Sequence, residues 1–336
     1  MKKWVIYILL FAGLGVIGQG CYGEDKLIPN GDEPVLSEKD LPQGNHEYDT
    51  RIMKWWEDYG LLTFYRFDYK EFWWTPTSDI RPKPIPNQES GTSMGYEGMQ
   101  ADTNYVGDLV ALLDKEFFAY YTKEYLYKQM PKKFLLMGEL THTPATILAP
   151  EYAQKYRISC HVGYDRMAIN MANEDILKMT PDSIRQFRSD LHSKFLNWQI
   201  ERGFIKDGST FSMVTTYGKS YNLTSESAIR SFYGDGFISS EDYASAVRDW
   251  KSFIMAIVTH KYEELIGEID PVVFVNGKFN VKKWSNEADQ SLGMLNRDSQ
   301  KGWDKSGKIN EKYEIITTYF KEKYNLDLQV IGDGRK

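Results

Sequence analysis

The stretch that most constrains the fold is Thr180 to Trp198. Thr180 offers a side-chain cap, Pro181 suits the first helical position, and Asp182 places an acid in the first turn. Ile184, Phe187, Leu191, Phe195 and Trp198 then recur at spacings of three and four, which predicts a helix with one buried stripe. Ahead of it, Lys133 to Leu140, Tyr156 to Val162 and Arg166 to Met171 read as strands. After it come an irregular, glycine- and serine-rich stretch over 203–238 and a second helix begun by Ser239 and Ser240. That helix carries Tyr243, Val247, Trp250, Ile254 and Ile257. Strands segregated before helices predict an α+β fold, a small sheet packed on helices with a loop-rich helical C-terminal part.

Other elements fill in around this frame. A helix is expected from about Glu47, with Ile52, Trp55, Trp56 and Tyr59 on one side and Gly60 as its stop. Leu61 to Trp74 alternates as a strand through Thr63, Tyr65, Phe67 and Tyr69, and Pro76 to Glu97 reads as loop. Tyr105 to Tyr121 forms an amphipathic helix, and Ile309, Tyr313, Ile316, Phe320 and Tyr324 mark a closing one. No internal repeat is evident.

The N-terminus addresses location. Lys2 and Lys3 precede an apolar run, Trp4 to Ile17, that is short for a membrane span, and Gly18-Gln19-Gly20 leads into Cys21. This reads as a lipoprotein signal peptide over 1–20 with Cys21 as the lipidated residue. The polar, proline-broken segment 21–46 then serves as a tether and 47–336 as the domain, about 270–336 being a helical C-terminal extension. The expected location is the cell envelope, as an outer-membrane lipoprotein facing the periplasm or the surface, anchored through lipid alone. With Cys21 lipidated only Cys160 remains, so no intramolecular disulfide is expected. Its place on a strand reads as a buried, inert thiol.

Removing Lys2 and Lys3 changes 41 basic and 47 acidic residues to 39 and 47. That balance disfavours nucleic acid and leaves no polybasic membrane patch. The chain holds 9 Trp and 23 Tyr, which can build a core or a surface that stacks on sugars or peptides. The pairs Trp55-Trp56 and Trp73-Trp74 are the candidates for ligand stacking, one residue of each being expected in the core.

Several short stretches, taken in order, carry a resemblance. They are Tyr48-Asp49, Tyr65-Arg66-Phe67-Asp68, Pro131 to Gly138, Asp235-Gly236-Phe237-Ile238, Tyr243-Ala244 and Asp249-Trp250. From about Tyr48 to Leu328 the chain resembles the zinc-binding metallopeptidase (substrate import-associated zinc metallohydrolase) lipoproteins encoded with TonB-dependent nutrient importers in Bacteroidota. The resemblance implies a zincin-like fold, a nutrient importer as partner and a peptide or glycan as ligand. It also implies a helical H-E-x-x-H, two zinc-binding histidines sharing a helix face with a glutamate that polarises the bound water, plus an acidic ligand from a later helix.

None of the five histidines, His46, His142, His161, His192 and His260, stands four residues from another, so that motif is absent. The best register is Arg188-Ser189-Asp190-Leu191-His192. Arg188 falls on the first histidine, Ser189 on the catalytic glutamate and His192 on the second histidine; Arg248 and Asp249 occupy the later acidic pair. His192 and Asp249 are then the only vestigial metal ligands. An arginine cannot coordinate and a serine cannot serve as the carboxylate base. No resident cofactor is expected, zinc being the one metal the resemblance leaves open, and a salt bridge between Arg188 and Asp249 is expected where zinc would sit. The expectation is therefore an import-associated metallopeptidase relative impaired in catalysis, or a non-catalytic glycan- or peptide-binding accessory. His161 or His260 offers an alternative metal site, and Glu263, Glu264 and Glu268 read as a solvated helix face.

Overall fold

A computed structural model describes residues 36–75, 80–85, 88–206 and 210–335. The segment with the expected signal peptide, Cys21 and most of the tether lies outside the described residues. Part of the expected tether is described. Residues 36–46 lie on the domain: the Leu36 amide donates to Glu71 Oε1 at 2.8 Å, and Gln43 Oε1 accepts from the Tyr65 amide at 2.8 Å.

The elements run α1 (Glu47–Tyr59), β1 (Leu62–Phe64), α2 (Tyr69–Trp73), β2 (Gly95–Gln100), α3 (Val106–Glu116) and α4 (Lys123–Gln129). Then come β3 (Lys133–Thr143), β4 (Tyr156–Arg157), β5 (Cys160–Val162), β6 (Arg166–Ile169) and α5 (Pro181–Glu201). The helices α6 (Glu226–Gly234), α7 (Ala246–Thr259), α8 (Lys308–Tyr324) and α9 (Leu328–Asp333) complete the frame. The fold is α+β, with the sheet in the first half and most helices in the second.

Strand β3 organises the six-stranded sheet. Its first half runs parallel to β1 and β6, with Leu62 opposite Lys133 and Lys133 opposite Arg166. Its second half pairs antiparallel with β2 and β4, and β5 adds antiparallel to β6. The run Phe134 to Met137 is apolar without interruption because both faces are covered. Phe134 and Leu136 enter the large helical core, whereas Leu135 and Met137 enter a smaller one with Leu62, Phe64 and Phe72.

Helix α5 forms as its sequence predicts. Thr180 Oγ1 accepts from the Ser183 amide at 3.2 Å, Pro181 opens the helix, and Phe187, Leu191 and Phe195 are buried. The expected strand over 61–74 is confined to three residues. Asp68 Oδ1 accepts from the Lys70 amide at 2.9 Å and caps α2, which ends the strand before its aromatic alternation can continue. The C-terminal part is no extension either. Trp284, Trp303, Ile309, Ile316 and Phe320 share one core with Phe195 of α5 and Trp250 of α7.

Candidate functional site

Helix geometry brings Arg188 and His192 to one face, four residues apart, and both act on Glu116 at the end of α3. Arg188 Nη1 lies 3.0 Å from Glu116 Oε2, and Arg188 Nε donates to the Ile331 carbonyl at 3.1 Å. His192 Nε2 stands 2.9 Å from the Glu116 carbonyl oxygen. A carbonyl only accepts, so Nε2 carries the proton and Nδ1 accepts from the Tyr121 hydroxyl at 2.6 Å. His192 is fully buried, its ring tilted against Phe117 and edge-on to Tyr120. Burial, opposed by the bond to Glu116 and aided by the Arg188 charge, takes its pKa down to about 3. The imidazole is neutral at physiological pH, with both nitrogens engaged.

Asp249 on α7 belongs to a different network. Its Oδ2 pairs with Lys312 of α8 and accepts from the Tyr217 hydroxyl at 2.7 Å. Lys312 also donates to the Gly236 carbonyl at 2.8 Å, and the rings of Phe211, Phe237 and Phe253 surround its ammonium. Both side chains are wholly buried. Burial raises the Asp249 carboxyl against the pull of Lys312, and it lowers the Lys312 ammonium against the pull of Asp249. Asp242, beside this pair, is pushed up to about 7 by burial and by the Asp249 charge.

The expected Arg188–Asp249 salt bridge is thus replaced by two pairs, Arg188–Glu116 and Asp249–Lys312. Each charge is buried and takes the counter-ion that its own helix packing supplies. Ser189 lines a cavity of about 490 Å³ with Arg185, His260, Glu264 and Asp289. There Arg185 is clamped by Glu264, and His260 Nε2 pairs with Asp289 at 2.7 Å while Nδ1 meets the Ala256 carbonyl at 2.9 Å. Neither ring nitrogen of His260 is left to act as a base toward Ser189. Glu268 pairs with Lys301, and Arg248 is an exposed residue 3.7 Å from Glu241.

Zinc does not fit this donor set. His192 would have to give up two buried hydrogen bonds, Arg188 would hold a fixed positive charge beside the ion, and Asp249 is neutralised by Lys312. Among the described residues, no three His, Cys, Asp or Glu side chains cluster as metal ligands would.

Of the expected stacking residues, Trp55 lies in the core and Trp56, Trp73 and Trp74 are half-buried. Trp55 is fully buried and donates from Nε1 to Asp114 at 3.0 Å, and Trp56 packs on the small core. Trp73 stacks on Tyr69 with centroids 4.9 Å apart, and Trp74 meets Tyr164 edge-on at 6.3 Å. Cys160 is buried, its thiol pushed far up by burial, as the strand position suggested.

Sequence reasoning missed Glu116, Tyr121, Tyr217 and Lys312. Lys312 carried a signal, since it stands three residues after Ile309 and four before Ile316, on the apolar stripe of α8. Several stretches that carry the family resemblance are joined in space. Asp49 Oδ1 accepts from the Tyr65 hydroxyl at 2.8 Å, and Lys312 ties Gly236 to Asp249.

No family model matches the chain, and no curated protein matches it. Among solved structures, one from Bacteroides caccae ATCC 43185 named a "putative zinc-binding metallo-peptidase" aligns with it. The alignment has a TM-score of 0.45 at 12% identity, over 89% of this chain and 92% of that one.

Proposed function

We propose that this chain is an envelope-anchored lipoprotein, attached through Cys21, whose metallopeptidase-like domain does not hydrolyse peptides with zinc. On this reading it serves a TonB-dependent nutrient importer as a non-catalytic binding accessory for a glycan or peptide product. The order of short motifs from Tyr48 to Leu328 supports the family relationship, and the apolar run ending at Cys21 supports the anchor. The observation that carries the loss of catalysis is His192. Both of its ring nitrogens are engaged on a fully buried ring, and the guanidinium of Arg188 lies on the same helix face.

The test is metal content of the full chain in mild detergent, after equilibration with zinc and dialysis. The expected result is far less than one zinc per chain and no cleavage of a mixed peptide library. Near-stoichiometric zinc that His192→Ala abolishes would overturn the proposal. Metabolic labelling with a fatty acid tests the anchor, and label that persists in Cys21→Ser would refute attachment at that residue.

A further inference from the structure

A second cavity, of about 260 Å³, lies between α5 and the open end of the sheet. Tyr96 of β2, His142 of β3, His161 of β5, and Lys194, Asn197 and Trp198 of α5 line it. Tyr96 and His142 are directly opposed across the β2–β3 pair, which puts them on one face. The Tyr96 ring stacks on His161 at 3.8 Å between centroids and lies 5.0 Å from His142.

Three polar atoms here are buried without hydrogen-bond partners among the described residues: Nε2 of His142, Nε2 of His161 and Oδ1 of Asn197. Buried polar atoms are costly to leave unpaired, and three in one cavity point to a ligand. Asn197 is oriented by its own contact, because its Nδ2 donates to Glu201 Oε1 at 3.0 Å. Its free atom is therefore an acceptor and asks for a hydroxyl donor.

The two imidazoles are open to two kinds of ligand, a late transition metal or an anion that accepts from their N–H groups. Charge decides between them. Glu201, the carboxylate on the lining, is held by Lys251 at 3.4 Å and by Asn197, whereas Lys194 has no carboxylate partner among the described residues and its ammonium acts on both rings. Burial first, then Lys194, lowers the pKa of His142 and takes that of His161 down to about 4. Both rings are neutral at physiological pH, and a cation entering between them meets an unneutralised ammonium. An anion meets an attractive one. Tyr96 packs on both imidazoles and fixes their orientation, and Trp198 supplies an aromatic wall suited to the C–H face of a sugar ring. At about 30 Å³ per water, the space equals roughly nine waters, room for a monosaccharide.

We infer that this cavity binds a small hydroxylated carboxylate of sugar-acid size. The carboxylate accepts from the imidazole N–H groups of His142 and His161 and faces Lys194, and a ligand hydroxyl donates to Asn197 Oδ1. This site is distinct from the Arg188–His192 face and does not depend on an importer as partner.

The experiment is isothermal titration of the full chain in mild detergent with D-glucuronate, with D-glucose as the neutral control. Zinc and copper(II) chloride are titrated separately. Glucuronate is expected to bind at one site at least tenfold more tightly than glucose. Lys194→Met, a change at an exposed residue, should weaken it at least tenfold with an unchanged melting temperature. In histidine-selective NMR, glucuronate should shift the resonances of His142 and His161 and leave His192 unmoved. Equal affinity for glucose, no binding of glucuronate, unchanged affinity in Lys194→Met, or one zinc or copper ion held through His142 and His161 would each overturn the assignment.

Discussion

Breaking the Asp249–Lys312 pair should cost far more than removing it whole. Lys312→Met leaves a carboxylate in the core with only the Tyr217 hydroxyl at 2.7 Å, and its Oδ1 is already buried without a partner among the described residues. Stranding one charge of a buried pair costs about 3–5 kcal/mol. Asp249→Leu strands the ammonium among its rings at similar cost. If the two losses were independent, the double variant would lose about 6–10 kcal/mol. It instead loses only the bonds the pair made to Tyr217 and Gly236, with the Gly236 carbonyl left without its Lys312 donor, a cost of about 1–3 kcal/mol. At this chain length roughly 2 °C is lost per kcal/mol, so each single variant should melt about 6–10 °C below the parent and the double variant well above either. Thermal and urea unfolding followed by circular dichroism give the coupling. Single effects that add to within about 0.5 kcal/mol would refute the reasoning. The pH dependence supplies a second check. Without Lys312, burial holds the Asp249 carboxyl above its unfolded value of about 3.9. A raised acid contributes stability below its unfolded pKa and loses it as pH climbs through the folded one. Lys312→Met should therefore lie closest to the parent in acid and furthest from it near neutrality.

Three more outcomes follow from the same networks. His192, held down to about 3 against an unfolded value of about 6.5, binds protons only when the chain unfolds over that window. Its contribution is complete above pH 6.5 and is lost as pH falls toward 3, on the order of 5 kcal/mol in total. His192→Gln should flatten the acid limb of a stability–pH curve, and a limb of unchanged slope would contradict the assignment. Asp242, pushed up to about 7, has the opposite sign: its stability is present below about pH 4 and lost as pH rises through 7. Asp242→Asn should gain on the parent between pH 5 and 8, and a constant difference across that range would count against a titrating carboxyl there. Gly236 sits at a φ of +94° with an added Cβ only 2.8 Å from Thr215 Oγ1, so Gly236→Ala should cost about 2 kcal/mol or more, seen as a lowered melting temperature.

Helix α5 was legible because everything that makes it is local: a cap at Thr180, a proline at 181 and an apolar stripe. The strand at 133 was legible for the same reason, as a continuous apolar run bounded by Pro131 and polar residues. The segment 61–74 was not. Its aromatic alternation suits a strand, but the cap at Asp68 competes with it, and local period cannot weigh a cap against a sheet partner. The partners of Arg188 and Asp249 were hidden for a further reason. Glu116 lies 72 residues from Arg188 and Lys312 lies 63 from Asp249, so the choice of counter-ion belongs to how helices pack. Composition does not say which face an indole takes, and of the two tryptophan pairs Trp55 is buried while Trp56, Trp73 and Trp74 are half-buried.

The spacing argument about Arg188 and His192 nonetheless held at the level where it was physical. Residues four apart share a helix face, and these two do share one object. That object is Glu116, whose carboxylate pairs with the guanidinium and whose carbonyl takes the imidazole N–H. A metal at this face would answer the same need, since it too would tie α5 to its neighbours through position 192. Here Arg188 reaches Glu116 on α3 and the Ile331 carbonyl on α9, and His192 reaches Tyr121. Three segments are joined to α5 by hydrogen bonds that only the folded chain can make. The face that the resemblance assigns to chemistry is thereby committed to stability, and any ligand this protein holds is better sought where polar atoms remain unpaired, around His142 and His161.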